Sequence, residues 1–306
     1  MIIVMFTKFE EIFAELAGRG AKKRMIAAWA VDGHTIAAAS KAVDLGIVDA
    51  TLVGDEEMIK AECEKEGIDV NKFTVIHNPS ELPAVTQAVT MVNQGMGDIL
   101  MKGLCSTDKF MRAILNKETG LLPPKAVLSH VAVLENPNYH KLLLVGDMAV
   151  IPLPDLKQKQ SILKYLVETA QHLGNAKPKV AILAATEQML SNMPACVEAA
   201  ILAKMVDRGQ IKGCIADGPL ALDVAIDMES VEIKKLESPV AGDADCLLFP
   251  NIESANVFYK TNSKLASNVK QAGMVVGAKV PCVLSSRADS IDTKLNSIAI
   301  AAMSAK

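Results

Sequence analysis

Aromatic side chains make up only 4% of the 306 residues, and there is a single tryptophan. Lysine and arginine total 32 against 35 aspartates and glutamates, and no basic block interrupts the chain. A nucleic-acid surface built on cationic patches and stacking rings is therefore disfavoured. No run approaches the roughly 18 apolar residues that a membrane span requires. The opening Met1-Ile-Ile-Val-Met-Phe6 is apolar but short, and Lys8, Glu10 and Glu11 follow at once, so it does not read as a signal peptide. The six cysteines (63, 105, 196, 214, 246, 282) are scattered without a C-x-x-C pair. They read as reduced, small apolar residues of a cytoplasmic protein. The five histidines contain no H-E-x-x-H and no close pair, so no metal site is expected. Gly95-Met96-Gly97 precedes a strand instead of following one and lacks the third glycine of a dinucleotide fingerprint. No G-x-x-x-x-G-K-[ST] loop occurs either, which disfavours nucleoside-triphosphate chemistry.

What is present is a regular alternation. Short apolar runs of four to seven residues recur between helical patterns of ten to fifteen. Examples are Met25 to Ala30, Ala50 to Val53, Phe73 to Ile76 and Ile99 to Lys102. This predicts an α/β fold with mostly parallel sheets. The runs are continuously apolar, so helices should cover both faces. A chain of this length exceeds one typical core, and two domains are expected. Gly120 to Pro124 breaks the rhythm and suggests a domain boundary. Ala126–Leu134 and Leu142–Val145 follow as two strands with no helix between them. The alternation then resumes, with a long helix from Asp155 to about His172, a helix opening at Gly218-Pro219, and one from Ser254 to about Lys270.

Two stretches share a chemistry-bearing pattern. In Asp98-Ile-Leu-Met-Lys-Gly-Leu-Cys-Ser-Thr-Asp-Lys-Phe-Met-Arg112 an apolar strand breaks at Gly103 and runs into a helix. Free N–H groups at such a helix start can hold an anion, with Lys102, Ser106, Thr107 and Arg112 around it. Equally, Ser106 or Thr107 is a plain N-cap and Arg112 an i, i+4 partner of Asp108. In Cys282-Val-Leu-Ser-Ser-Arg-Ala-Asp-Ser-Ile-Asp292 the same grammar puts Ser285, Ser286 and Arg287 at the carboxyl end of a strand, where open α/β sheets bind ligands. Asp292 falls in the first helical turn, either as a dipole-stabilised carboxylate or as a base. Phe249-Pro-Asn-Ile-Glu-Ser to Lys260 adds Asn251 and Lys260 as candidate substrate contacts, or a capped helix with a surface lysine. Asp217-Gly-Pro-Leu to Asp223 is a cleft loop or a Gly-Pro turn with a capping acid. His130 reads as a core or interface histidine, and Cys105 as packing.

Taken in order, Lys102-Gly-Leu-Cys-Ser-Thr…Arg112, Val127-Leu-Ser-His130, Asp217-Gly-Pro-Leu…Asp223, Phe249-Pro-Asn…Tyr259-Lys260 and Ser286-Arg-Ala-Asp-Ser290 resemble the phosphate acetyl/butyryltransferase family. Ser-His-Val after Leu128 and the Ser-Arg-Ala-Asp-Ser turn are most similar to its butyryl branch. The resemblance implies the reaction acyl-CoA + phosphate = acyl phosphate + CoA, on butyryl or branched short-chain acyl groups. Acetyl transfer is the alternative. It implies a two-domain fold like that of the isocitrate/isopropylmalate dehydrogenases, divided as 1–123 with 282–306 and 124–281, with the active site in the cleft between. It also implies a homodimer, coenzyme A as substrate, and no permanently bound cofactor. Ser286 and Arg287 match a Ser-Arg pair of the acetyl branch, and Arg112 matches a cleft arginine. The proposed base falls on Asp292, or on Thr293 if the alignment moves by one. A further cleft arginine of that branch has no counterpart before residue 98. Two other classes compete. A metal- and NAD-dependent hydroxyacid dehydrogenase of the same fold needs clustered aspartates and an arginine-rich site, and neither is seen. A non-catalytic CoA or acyl-phosphate binding protein would bind CoA without exchanging phosphate.

Overall fold

The computed structural model describes residues 5–284, 286 and 289–306. They divide into two compact units, one of residues 5–8 with Ser129–Gln271, the other of Phe9–Leu128 with Ala272–Lys306.

After residues 5–8, the chain enters the second of these with α1 (Phe9–Gly18), β1 (Lys23–Ala28), α2 (Gly33–Asp44), β2 (Val48–Gly54), α3 (Glu56–Glu66), β3 (Thr74–His77), α4 (Glu81–Asn93), β4 (Ile99–Lys102) and α5 (Thr107–Ile114). It then builds the other unit with β5 (Ser129–Glu135), β6 (Leu143–Gly146), α6 (Leu156–His172), β7 (Lys179–Leu183), α7 (Pro194–Asp207), β8 (Ile215–Leu220), α8 (Leu222–Ile226), α9 (Met228–Lys234), β9 (Cys246–Leu248) and α10 (Ile252–Lys264). It returns through β10 (Lys270–Val276), β11 (Cys282–Val283) and α11 (Ile291–Ser304).

Helix ends follow sequence chemistry. Asp32, Asp55 and Ser290 each accept an N–H from the third residue onward and so cap α2, α3 and α11. Asp155 and Gln158 form a reciprocal capping box on α6. Gly67 ends α3 in the left-handed region. Gly95 closes α4: at φ +78°, it donates to Val92 while Met96 donates to Met91.

In the unit containing α1, the strands run in the order β3-β2-β1-β4-β11-β10. All neighbours are parallel except β10, which runs antiparallel to β11. Met25–Ala28 and all of β4 are buried residue after residue, so both faces of the sheet are covered, as the apolar runs predict. The other unit orders its strands β5-β6-β9-β7-β8. There β5 and β6 form the expected antiparallel pair, with Val131 opposite Gly146, and the rest are parallel. Ala132, Val145, Ala181, Leu247 and Phe249 meet in its core.

Two local expectations change. The helix from Ser254 does not reach Lys270; it stops at Lys264, and β10 follows as an unanticipated strand. Gly218-Pro219 is not a turn opening a helix but part of β8. That strand lies at the sheet edge, where a proline's missing N–H leaves no ladder partner unsatisfied.

Candidate active site

Parallel β1, β4 and β11 end on one edge of their sheet, and α2, α5 and α11 begin there. Because β11 pairs directly with β4, Cys282 beside Leu100 and Val283 beside Met101, the two strand-turn-helix stretches leave the sheet as neighbours.

The turn after β4 is held tightly. Gly103 N–H donates to the Ala28 carbonyl at 2.9 Å and Leu104 N–H to that of Trp29 at 2.9 Å. A side chain at 103 would stand 2.2 Å from the Trp29 carbonyl oxygen, which is why glycine is required. Trp29 itself adopts φ +55°, unusual for a bulky residue. Lys102 is buried, and its Nζ donates to the carbonyls of Gly103 at 3.0 Å and Cys105 at 2.9 Å. It therefore stitches the turn together from below. Burial pushes the Cys105 thiol up to about 11, the state of a packing residue and not of a nucleophile.

At the start of α5, Ser106 Oγ accepts from Lys109 N–H at 3.3 Å, a cap. The Ser106 N–H donates to Glu81 Oε1 at 3.3 Å, and Lys109 Nζ pairs with the same carboxylate at 2.6 Å. A carboxylate of the protein thus already occupies this helix start. Thr107 is exposed. Arg112 pairs with Asp108 at 3.1 Å, both largely in solvent, which leaves its guanidinium accessible.

Beyond β11, Ser286 is exposed, and its N–H donates to Asp289 Oδ2 at 2.7 Å. Asp292 projects outward with its side chain 79% exposed and pairs with Lys41 of α2 at 3.1 Å. Lys294, two residues on and so on the opposite side of the helix, is buried. Arg287, with Ser285 and Ala288, lies outside the described residues.

Lys102, Ser106, Thr107, Arg112, Ser286 and Asp292 therefore belong to one unit and to the turns and first helical turns at one sheet edge. Asn251 and Lys260 belong to the other. Asn251 caps α10, accepting from Ser254 N–H at 3.0 Å and its hydroxyl at 2.8 Å. Lys260 is exposed on the same helix, roughly 13 Å further along its axis, so one small ligand does not bridge the two. Asp223 pairs with Lys234 at 2.9 Å, and that partner lowers its pKa. Asp217 accepts from the neighbouring Gly218 N–H. Both have structural work.

Two buried polar residues, Asp147 and Lys294, and the half-buried Asp32 escape sequence reading. Asp147 accepts N–H bonds from Ala149, Val150 and Ile151 and the Ser129 hydroxyl at 3.0 Å; burial still raises its pKa. Lys294 Nζ donates to the Ser286 carbonyl at 3.4 Å, and Asp32 caps α2. A signal for Lys294 exists: Ile298–Met303 is apolar without a polar face, so α11 is buried all round, and a lysine in its first turn goes inside with it.

Comparison with known proteins decides the family. The sequence model described as Phosphate acetyl/butaryl transferase matches residues 81–302. The chain belongs to that family. It is 44% identical to a phosphate butyryltransferase of Clostridium acetobutylicum over 98% of both chains. It is 40% identical to a phosphate acetyltransferase of Thermotoga maritima, covering 96% of this chain and 99% of the relative. A branched-chain phosphotransacylase from Enterococcus faecalis V583 superposes with a TM-score of 0.81 at 30% identity, over 92% of this chain and 98% of that one. Among the described residues, no group of three His, Cys, Asp or Glu side chains is arranged to hold a metal, and no helix is long and apolar enough to cross a membrane.

Proposed function

We propose that this chain transfers a butyryl or branched short-chain acyl group between coenzyme A and inorganic phosphate, by direct attack in a ternary complex. The observation that carries the reading is the adjacency of β4 and β11, which sets two serine-bearing turns side by side at the ligand edge of one sheet. In the thioester-forming direction, Asp292 takes the thiol proton of CoA. The thiolate attacks the acyl carbon, and phosphate leaves with the electron pair of the broken C–O bond. An exposed carboxylate in a first helical turn suits this role because a thiol can reach it. Arg287 and Arg112 hold the phosphate oxygens with planar N–H forks. Ser286 donates to the developing oxyanion. Ser106 and Thr107 offer hydroxyls beside the phosphate, and Lys102 fixes the turn that carries them. On the other unit, Asn251 and Lys260 are the proposed substrate-binding residues. No covalent enzyme intermediate is needed; holding both substrates in line supplies roughly 7–11 kcal/mol of the barrier reduction.

Six free, buried cysteines support a cytoplasmic setting. A homodimer with no resident cofactor follows from the resemblance and is checked by sedimentation. The 40% identical acetyltransferase keeps acetyl-CoA as a second reading of the acyl group.

The test is phosphate-dependent release of free thiol from acetyl-, propionyl-, butyryl- and isobutyryl-CoA. Butyryl- or isobutyryl-CoA is expected to give the highest kcat/KM. Absence of turnover with every C2–C5 thioester would remove the assignment, and CoA binding without exchange would point to a non-catalytic binder. Arg287→Ala is expected to lower kcat/KM about 100-fold or more, as for loss of one oxyanion- or phosphate-holding group. A wild-type rate in that variant takes Arg287 out of the site.

A further inference from the structure

Lys294 is 3% exposed, on a helix buried without a break from Lys294 to Met303. A lysine there has to earn its place, since burial alone disfavours its charged form. Its Nζ donates to the main-chain oxygen of Ser286 at 3.4 Å. The same carbonyl accepts the Asp289 N–H at 3.1 Å, while Asp289 Oδ2 receives the Ser286 N–H at 2.7 Å. The Ser286 turn is thus tied on its inner side to the first turn of α11. Across from it, Asp32 caps α2 through Oδ1, which accepts Thr35 N–H at 3.0 Å. Among the described residues, its second oxygen, Oδ2, is buried with no hydrogen-bond donor, and Oγ1 of the fully buried Thr35 has no partner either. A buried carboxylate oxygen without a donor is costly unless a cation's field reaches it. Lys294 supplies that field: burial lowers its pKa, Asp32 and Asp289 act in the opposite direction, and the like charge of Lys102 adds to the lowering. Through the Ser286 carbonyl, Lys294 ties α11 to the turn after β11, next to residues proposed to meet phosphate.

We infer that Lys294 is a positioning residue of the acyl-transfer site, holding the Ser286 carbonyl so that the Ser286 hydroxyl meets the developing oxyanion in one fixed geometry beside the phosphate. The inference rests on the acyl-transfer reading above. Lys294 does not touch substrate; it acts through the turn. Asp292 and Lys294 divide the first turn of α11 between them, the outer residue for proton transfer and the inner one for alignment.

The experiment compares Lys294→Met, Lys294→Arg, Asp32→Asn and the double variant Asp32→Asn/Lys294→Met, assayed by phosphate-dependent thiol release from butyryl-CoA. Asparagine preserves the α2 cap. The double variant leaves neither charge alone in the interior, so it is expected to fold with a melting temperature near that of the wild type. Expected are a fall in kcat of tenfold or more and a raised KM for phosphate in both Met variants. The double variant should be no worse than Lys294→Met, and Lys294→Arg should recover part of the loss. A well-folded double variant with kcat and phosphate KM within twofold of wild type overturns the inference. So does a loss of activity that merely tracks the folded fraction with KM unchanged. If the Met variants do not fold, Asp32→Asn decides, and wild-type constants there are fatal to the pair. Should the wild type itself turn over no C2–C5 thioester, the acyl-transfer reading fails. Amide exchange at Ser286 and Asp289 then decides the holding role: faster exchange in the double variant supports it, and unchanged exchange refutes it.

Discussion

Cys105 and Lys102 show how differently one turn treats two reactive side chains. Cys105 stands between Lys102 and Ser106 in sequence, within the turn proposed to meet phosphate, a position that invites a nucleophilic role. Burial answers the question, because a thiol raised to about 11 holds almost no thiolate at neutral pH. Cys105→Ala is expected to retain kcat within about threefold, at a stability cost of about 1 kcal/mol for the lost packing. The native thiol should resist iodoacetamide until the protein unfolds. Rapid alkylation with loss of activity in folded protein would contradict this. The packing role of Cys105 and the cap at Ser106 were legible because each rests on local chemistry, namely apolar flanks and hydroxyl geometry. The role of Lys294 was not, because a lysine in a helix is ordinarily a surface residue, and only the fully apolar stretch after it says otherwise.

Among elements, the β4–α5 turn has the least freedom. A methyl group at 103 would collide with the carbonyl of Trp29, which is backbone and cannot swing aside. Gly103→Ala is expected to destabilise by about 2–3 kcal/mol and to cut turnover together with stability. A chemical denaturation midpoint matching the wild type would show that the turn yields more easily than its contacts indicate. Element positions were readable wherever caps and apolar runs agreed, as for α3 between Asp55 and Gly67. They were misread where that agreement failed. No glycine or proline separates α10 from β10, so the pattern ran on; the actual break is Asn268 at φ +60°. At β8 the Gly-Pro pair signals a turn by local preference, but pairing with β7 holds it as strand, with a register shift between Ala181 and Leu183.

Across the whole molecule, the alternation of strand and helix was enough to give the fold class, while pH sensitivity depends on contacts that no pattern displays. His130 is 2% exposed, and its Nδ1 has no hydrogen-bond partner among the described residues. Burial lowers its pKa from 6.5 to about 4. The unfolded chain therefore binds a proton below pH 6.5 that the native state accepts only near pH 4. Stability is unaffected by this group above pH 6.5 and falls as pH drops from 6.5 to 4, by on the order of 3 kcal/mol in total. His130→Leu should flatten that part of the curve relative to wild type, read from urea midpoints at pH 7 and pH 5. Parallel curves would mean that the histidine is solvated or paired.

Trp29 has a practical consequence. It is the only tryptophan in the chain, it is half-buried, and its carbonyl receives the Leu104 N–H at the proposed phosphate turn. Indole emission excited at the red edge therefore comes from this one place. Phosphate or acyl phosphate settling there should change its intensity or wavelength without any attached label. The chain carries its own optical probe, seated where occupancy can be followed in a stopped-flow trace before any bond is made or broken.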